Sequence, residues 1–121
     1  MRITDKERKD LGFINLKGKW YATFEVLLNA AHELYKDNFS IKTKLIEFDR
    51  ESKFAVFKAE VIIIKNGEKQ VFDAYGDSAK DNTGALVQGA YIRMAETRAV
   101  CRALRFATNI AETSSEEMPN D

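Results

Sequence analysis

Apolar residues follow two different spacings along the chain, and these spacings predict its helices and strands. Between 23 and 35 they recur every three or four positions, the spacing of a helix of about three turns. The residues concerned are Val26, Leu27, Ala30, Ala31 and Leu34. A longer amphipathic helix is predicted over 84–109, with Asn82-Thr83 as its N-cap.

Three stretches rich in β-branched and aromatic residues predict strands, at 39–48, 53–64 and 68–75. The last two flank Asn66-Gly67, a pair typical of two-residue hairpins because both positions need positive φ. Another hairpin is predicted around Lys17-Gly18-Lys19. We therefore predict an α+β fold with an N-terminal β-hairpin and helix, an antiparallel three-strand meander, and a long C-terminal helix packed on the sheet.

Length and polarity divide the chain into three parts. Its 121 residues, 45% of them hydrophobic, suit one domain with a modest core, predicted over 11–111. Residues 1–10 are charged and nearly without apolar groups, so they are expected to form a flexible, slightly basic arm. Residues 112–121 are polar and without periodicity, so they are expected to form a disordered acidic tail.

The long predicted helix has two distinct sides. One broad apolar side is expected to lie on the sheet; it consists of Ile92, Ala95, Ala99, Ala103, Phe106, Ala107 and Ile110. The opposite side carries four residues spaced by seven, four and three positions, which we call the arginine stripe: Tyr91, Arg98, Arg102 and Arg105. Arg93 lies off the stripe, and Glu96, the single acid in 84–109, projects toward the apolar side.

The arginine stripe has two interpretations. Guanidinium groups bind phosphate in a fork and aromatic rings stack on bases, so the stripe suits a nucleic-acid strand. The alternative is a solvent-exposed helix face whose arginines pair with side chains one helical turn away. The scarcity of acids in this helix favours the first interpretation. The cationic hairpin tip, with Lys17 and Lys19, adds candidate phosphate contacts.

Charge and cysteine content narrow the class of protein. The net charge is zero, but four of the 19 acidic residues lie in the last ten positions, which leaves 15 acidic against 19 basic residues elsewhere. Local basic patches matter more for the binding of nucleic acid than the net charge of the whole chain. One cysteine, Cys101, excludes an intrachain disulfide, and neither a signal-like segment nor a membrane-spanning apolar run occurs. A soluble cytoplasmic protein without a membrane partner is expected.

Catalytic and metal-binding patterns are weak in this sequence. His32 is the only histidine and has no cysteine nearby, which argues against a metal site or a catalytic triad. Asp73, Asp77 and Asp81 lack the glycine and glutamate positions of an EF-hand and are interpreted as solvated acids. We therefore predict no catalytic residue, no metal and no cofactor.

Several short motifs resemble the Rad-fifty-two family of single-strand annealing proteins and its phage and bacterial relatives. Ala74-Tyr75-Gly76 is similar to that family's GYG, and Arg102-Ala103-Leu104-Arg105 with Asn109 is similar to its KRALRSFGN. A helix pattern also matches, at Asn29, Ala31, Glu33 and Tyr35. The resemblance covers roughly residues 17–109 and includes the predicted order of elements.

This resemblance implies a homo-oligomeric ring that binds single-stranded DNA along its phosphates and catalyses no covalent reaction. Arg102 and Arg105 resemble the family's DNA-contacting basic residues, and Tyr21 resembles an aromatic residue near its first hairpin. The sequence departs from the family at Cys101, where the family has a lysine. The expected function is single-strand binding and annealing in recombination and repair.

Two alternatives of other classes remain. Glu51-Ser52-Lys53 has the acid-x-lysine spacing of a metal-dependent nuclease core, although it falls in a predicted turn. A protein-interaction adaptor, in which the arginine stripe meets an acidic partner, is the other alternative. Nicking of plasmid DNA with magnesium would favour the nuclease, and salt-sensitive binding to oligonucleotides would count against the adaptor.

Overall fold

A computed structural model describes residues 4–79, 90–110 and 114–117. The described helices and strands are α1 (Asp5–Leu11), β1 (Ile14–Leu16), β2 (Lys19–Tyr21), α2 (Phe24–Tyr35), β3 (Phe39–Asp49), β4 (Phe54–Lys65), β5 (Glu68–Ser78) and α3 (Tyr91–Thr108), followed by a 3-10 turn at Ser115–Glu117. Strands β1 and β2 form a hairpin, and β3-β4-β5 form an antiparallel sheet in chain order. The predicted α+β class and order of elements are confirmed.

Helix α1 was not anticipated, because its sequence has no apolar periodicity. A capping box starts it: Thr4 accepts a hydrogen bond from the Glu7 backbone N–H, and the Glu7 side chain accepts one from Thr4 N. Gly12 ends it with φ of 100°, a conformation that favours glycine. Residues 5–11 are therefore helical, although the arm was predicted to be flexible, and caps rather than burial define the helix, since none of its residues is buried.

Turn chemistry sets the register of the sheet as predicted. Asn66 and Gly67 both have positive φ, 53° and 78°, and the flanking residues Lys65 and Glu68 pair directly. The strands differ from the predicted 39–48, 53–64 and 68–75 by one to three residues at their ends, mostly because pairing with β4 continues past the apolar runs. A register shift between Leu45 and Glu47 interrupts the pairing of β3 with β4.

The core lies between one face of the sheet and helix α3. Alternate residues of β4 are buried on this face: Ala55, Phe57, Ala59, Val61 and Ile63. Gly76 of β5 touches the helix backbone, since a Cβ atom there would lie 2.2 Å from Ala99 N and 2.6 Å from Ala95 O. Small residues on both elements thus bring helix and sheet into close contact.

Helix α2 packs on α3. Thr23 caps α2 by accepting a hydrogen bond from Val26 N, and the Tyr35 hydroxyl donates to the Ala107 carbonyl near the end of α3. Leu27 and Ala31 are fully buried, as the spacing predicted, but Leu34 is exposed, so the predicted apolar side is wrong there. None of the described helices is long and apolar enough to span a bilayer.

The two ends of the predicted long helix differ in what the structure describes. Helix α3 ends at Thr108, with Asn109 as a left-handed cap, in agreement with the sequence. It begins at Tyr91, and residues 84–89 and the predicted Asn82-Thr83 cap lie outside the described residues. Ile92 and Phe106 are exposed, so the prediction that both lie on the sheet is wrong.

Candidate nucleic-acid interface

The arginine stripe runs beside the outer edge of β5. Arg98 Nη1 donates to the Asp77 carbonyl at 2.9 Å, and Arg102 Nη1 donates to the Tyr75 carbonyl at 3.0 Å. These carbonyls are two residues apart and point the same way from β5, which is an edge strand of the described sheet. The helix therefore closes part of the sheet edge with guanidinium groups.

Arg98 is a buried member of the stripe, with 5% of its surface exposed. Besides the Asp77 carbonyl, it binds the Glu116 carbonyl through Nε at 3.0 Å. Burial lowers the pKa of Arg98, and the nearby charges of Asp77, Glu116 and Glu117 oppose this. The expected solvent-facing position is therefore wrong for Arg98, which joins β5 to the C-terminal residues.

Arg102 and Arg105, the arginine pair, converge on the carboxylate of Glu117. Arg105 Nη1 lies 2.9 Å from Oε1 and 3.1 Å from Oε2, and Arg102 Nε lies 3.2 Å from Oε1. The side chain of Arg102 is 51% exposed and that of Arg105 24%, whereas that of Glu117 is 8% exposed. The pair is thus accessible from solvent on one side, and Glu117 neutralises one of its two charges on the other.

Residues 114–117, which we call the C-terminal clip, are docked on the domain. Ser115 N donates to the Ala22 carbonyl at 2.8 Å, and Ser114 forms a parallel bridge with Ala22 next to β2. The 3-10 turn then places Glu117 beside the arginine pair. The prediction of a wholly disordered tail over 112–121 is therefore wrong for this segment, and 112–113 and 118–121 lie outside the described residues.

The predicted aromatic contacts are less accessible than expected. Tyr21 is 8% exposed, and Lys19 Nζ lies 5.5 Å from the centre of its ring. Tyr91 is half-buried and packs against the core. Trp20, the neighbour of Tyr21 in β2, is half-buried. Tyr21 is therefore buried, and Tyr91 is only partly accessible.

Phe106 is the aromatic side chain that sequence reasoning missed. It is 62% exposed and lies one helical turn after Arg102, so the two side chains share a side of α3. The helical spacing places Phe106 near the border between the apolar side and the stripe. Its position four residues from Arg102 was the available signal.

The hairpin tip keeps its predicted cations at the surface. Lys17 and Lys19 are exposed, and Lys17 has a positive φ of 54° in the turn. The Asn15 side chain accepts a hydrogen bond from Gly18 N at 3.1 Å and so fixes the turn. Both lysines remain candidates for phosphate contact.

The sheet face opposite α3 carries further lysines, but acids separate them. Lys42 pairs in register with Glu60, and Lys44 with Lys58. Lys58 Nζ lies 3.9 Å from a Glu60 oxygen and 3.6 Å from an Asp73 oxygen. This face is therefore partly polar, and its mixed charges suit a polyanion less well than α3 does.

The residues behind the nuclease alternative lie in a turn between β3 and β4. Glu51 N donates to an Asp49 oxygen at 3.0 Å, and Lys53 has a positive φ of 50°. No group of three or more His, Cys, Asp or Glu residues able to hold a metal ion occurs in the part of the chain that the structure describes. Asp81 lies outside that part.

Cys101, where the sequence departs from the resembled family, is fully buried. Burial raises the pKa of its thiol to about 12, and the positive charge of Arg105 opposes the rise. No protein-family profile matches this sequence, and no curated protein matches it.

Proposed function

We propose that this protein binds single-stranded DNA and promotes strand annealing in recombination and repair, as a cytoplasmic homo-oligomeric ring without catalytic chemistry. The DNA-binding surface is the outward side of α3, with Arg102, Arg105 and Phe106. The observation that carries the proposal is the convergence of two arginines on one oxyanion, with distances of 2.9 to 3.2 Å. Phosphate offers the same kind of acceptor oxygens.

Phe106 supports a single strand over a duplex. An exposed ring stacks on a base only where the base is unpaired, and single-strand binding proteins combine such rings with cations along the backbone. Arg102 and Phe106 present this combination one helical turn apart. Binding through phosphates and one stacked base leaves most base edges free to pair with a second strand, as annealing requires.

Self-association is supported by the sheet edges. Strands β3 and β5 are both edge strands of eleven residues in the described sheet, and long edges invite pairing with another chain. Arg98 and Arg102 occupy the carbonyls at 75 and 77, which leaves the first part of β5 and the edge of β3 for a neighbouring subunit. If light scattering shows only monomer at tens of micromolar protein, with and without DNA, the proposed ring is refuted.

The test compares three variants by fluorescence anisotropy with a single-stranded oligonucleotide and a duplex across a salt series. Arg102→Ala and Arg105→Ala should each weaken single-strand binding and lower the salt slope by about 0.7 for each phosphate that the variant no longer binds. Arg93→Ala is the matched control, because it removes one exposed arginine of α3 that lies off the stripe. The proposal would be refuted if all three substitutions changed the single-strand affinity equally, or if none of them changed it.

The adaptor alternative is favoured by one specific observation: the oxyanion bound by the arginine pair is a carboxylate. An acidic peptide segment would offer the same group. Competition separates the two functions, with a poly-glutamate peptide and a single-stranded oligonucleotide of equal charge as competitors. If the protein binds DNA, the oligonucleotide should displace a labelled strand at a much lower concentration than the peptide does, because only the oligonucleotide has bases that stack on Phe106.

A further inference from the structure

Glu117 is held by more donors than a surface ion pair. Its Oε1 accepts from Arg102 Nε at 3.2 Å and from Arg105 Nη1 at 2.9 Å. Its Oε2 accepts from Arg105 Nη1 at 3.1 Å and from the Ser114 backbone N–H at 2.9 Å. Its side chain is 8% exposed. Two cationic side chains and a backbone N–H thus surround one carboxylate, as in a preformed anion-binding site.

We propose that this cluster is a phosphate site whose internal occupant is Glu117, and that a nucleic-acid phosphate binds there by displacing the carboxylate. The inference rests on the proposed function, since it names the ligand group and the regulation of the same arginine pair. The two carboxylate oxygens stand in for two non-bridging phosphate oxygens. Arg102, Arg105 and the Ser114 N–H supply the donors in both states.

The clip is attached in a way that lets Glu117 leave alone. Ser115 N bonds the Ala22 carbonyl, and the Glu116 carbonyl accepts from Arg98, so these anchors do not involve the arginine pair. Rotation of the Glu117 side chain would open the site while the Ser114 N–H stays in place. The exchange therefore requires a change of rotamer rather than release of the tail.

Competition of this kind predicts opposite effects on stability and on affinity. Glu117→Gln removes the carboxylate charge that offsets one of the two positive charges of the arginine pair, so single-strand affinity should rise roughly tenfold at low salt and less at high salt. The same substitution breaks two ion pairs that stabilise the free protein, so its Tm should fall. If the Glu117 carboxylate had only a structural role, Glu117→Gln would lower both the Tm and the single-strand affinity.

Glu116→Gln is the matched control, because it removes the same charge from the same turn while the Glu116 carbonyl remains bonded to Arg98. We expect Glu117→Gln to bind the oligonucleotide several-fold more tightly than Glu116→Gln. Equal gains would show a general charge effect and overturn the inference. If Glu117→Gln fails to fold, Glu117→Asp replaces it: the charge stays, but the shorter side chain holds the arginine pair less well, so the oligonucleotide should bind more tightly than to the wild type, by a smaller factor than to Glu117→Gln. Unchanged affinity of Glu117→Asp would then overturn the inference.

Inorganic phosphate tests the site without DNA. At equal ionic strength, phosphate should raise the Tm of Glu117→Gln relative to chloride, and this gain should exceed that of the Arg105→Ala/Glu117→Gln double variant, which measures the general stabilisation by phosphate. Absence of the gain would overturn the inference. The proposed function fails separately, if Arg102→Ala and Arg105→Ala leave wild-type oligonucleotide binding unchanged.

Discussion

Arg98 and Arg102 lie a single helical turn apart on α3, and their environments are opposite. Arg98 is 5% exposed and bonds two backbone carbonyls, whereas the Arg102 side chain is 51% exposed and bonds one carbonyl and one carboxylate. The first arginine joins three parts of the fold, and the second borders solvent. Helical spacing alone makes these two positions equivalent.

The difference arises from what covers each end of the stripe. Near Arg98 the end of β5 and the C-terminal clip meet over the helix, and together they exclude water. Near Arg102 the clip reaches the helix through the Glu117 side chain, and one side of the guanidinium stays open. A buried arginine with satisfied donors stabilises the fold, and an open one is available to a ligand.

The largest expected effect concerns the side of α3 that is held on the sheet. Gly76→Ala would place a Cβ atom 2.2 Å from Ala99 N, and because the obstacle is backbone it cannot rotate away. We expect a loss of about 3 kcal/mol or more in the free energy of unfolding, measured by denaturant titration. Gly67→Ala is the control: no described atom lies within 4 Å there, and only the positive φ of 78° should cost about 1 kcal/mol. Equal losses would mean that the close helix–sheet contact is not formed.

Arg98→Ala is expected to have the next largest effect on stability. It leaves the Asp77 and Glu116 carbonyls without their cationic donor and should cost roughly 3 kcal/mol. Arg98→Lys should recover only part of the lost stability, because one ammonium group cannot bond both carbonyls in the same fork geometry. Oligonucleotide binding by the protein that remains folded should change little. Unchanged stability with reduced affinity would instead move Arg98 into the ligand site.

Local patterns predicted most of the fold. Apolar spacing located α2 and α3, and Asn66-Gly67 fixed the β4–β5 turn, because these signals depend on residues close in sequence. Helix α1 was missed because a capping box and a glycine cap define it, without an apolar side. Its signal, a threonine followed by glutamate three positions later, was present in the sequence.

The candidate site was predicted in part, and the errors share one cause. Helical geometry placed Arg102 and Arg105 on the same side, but burial of Arg98 and Tyr21 depends on distant segments that spacing does not reveal. Phe106 was assigned to the core because apolar residues usually face inward, yet its side chain is exposed to solvent. The docking of Glu117 had no periodic signal at all.

On the outward side, Phe106→Ala should separate affinity from stability. An exposed ring contributes little to folding, so Tm should shift only slightly. Without stacking, single-strand binding should weaken by about 1–3 kcal/mol while the salt slope stays unchanged, as no charge is removed. Phe106→Tyr should bind normally, and Ile92→Ala, another exposed apolar residue of α3, serves as the control. A change in oligomer size without a change in affinity would identify Phe106 as a subunit contact.

The smallest expected effect concerns the hairpin tip, whose lysines lie at the surface without the fixed geometry of the arginine pair. Lys17→Asn removes the charge and keeps the turn, because asparagine tolerates the positive φ of 54°. The substitution should weaken binding by roughly fivefold at most, and it should lower the salt slope by about 0.7 if Lys17 binds one phosphate. Lys36→Asn is the matched control, since Lys36 is also exposed with a φ of 55°, but at the end of α2. Equal behaviour of the two variants would confine the DNA path to α3, and an effect of Lys17→Asn alone would extend that path to the hairpin.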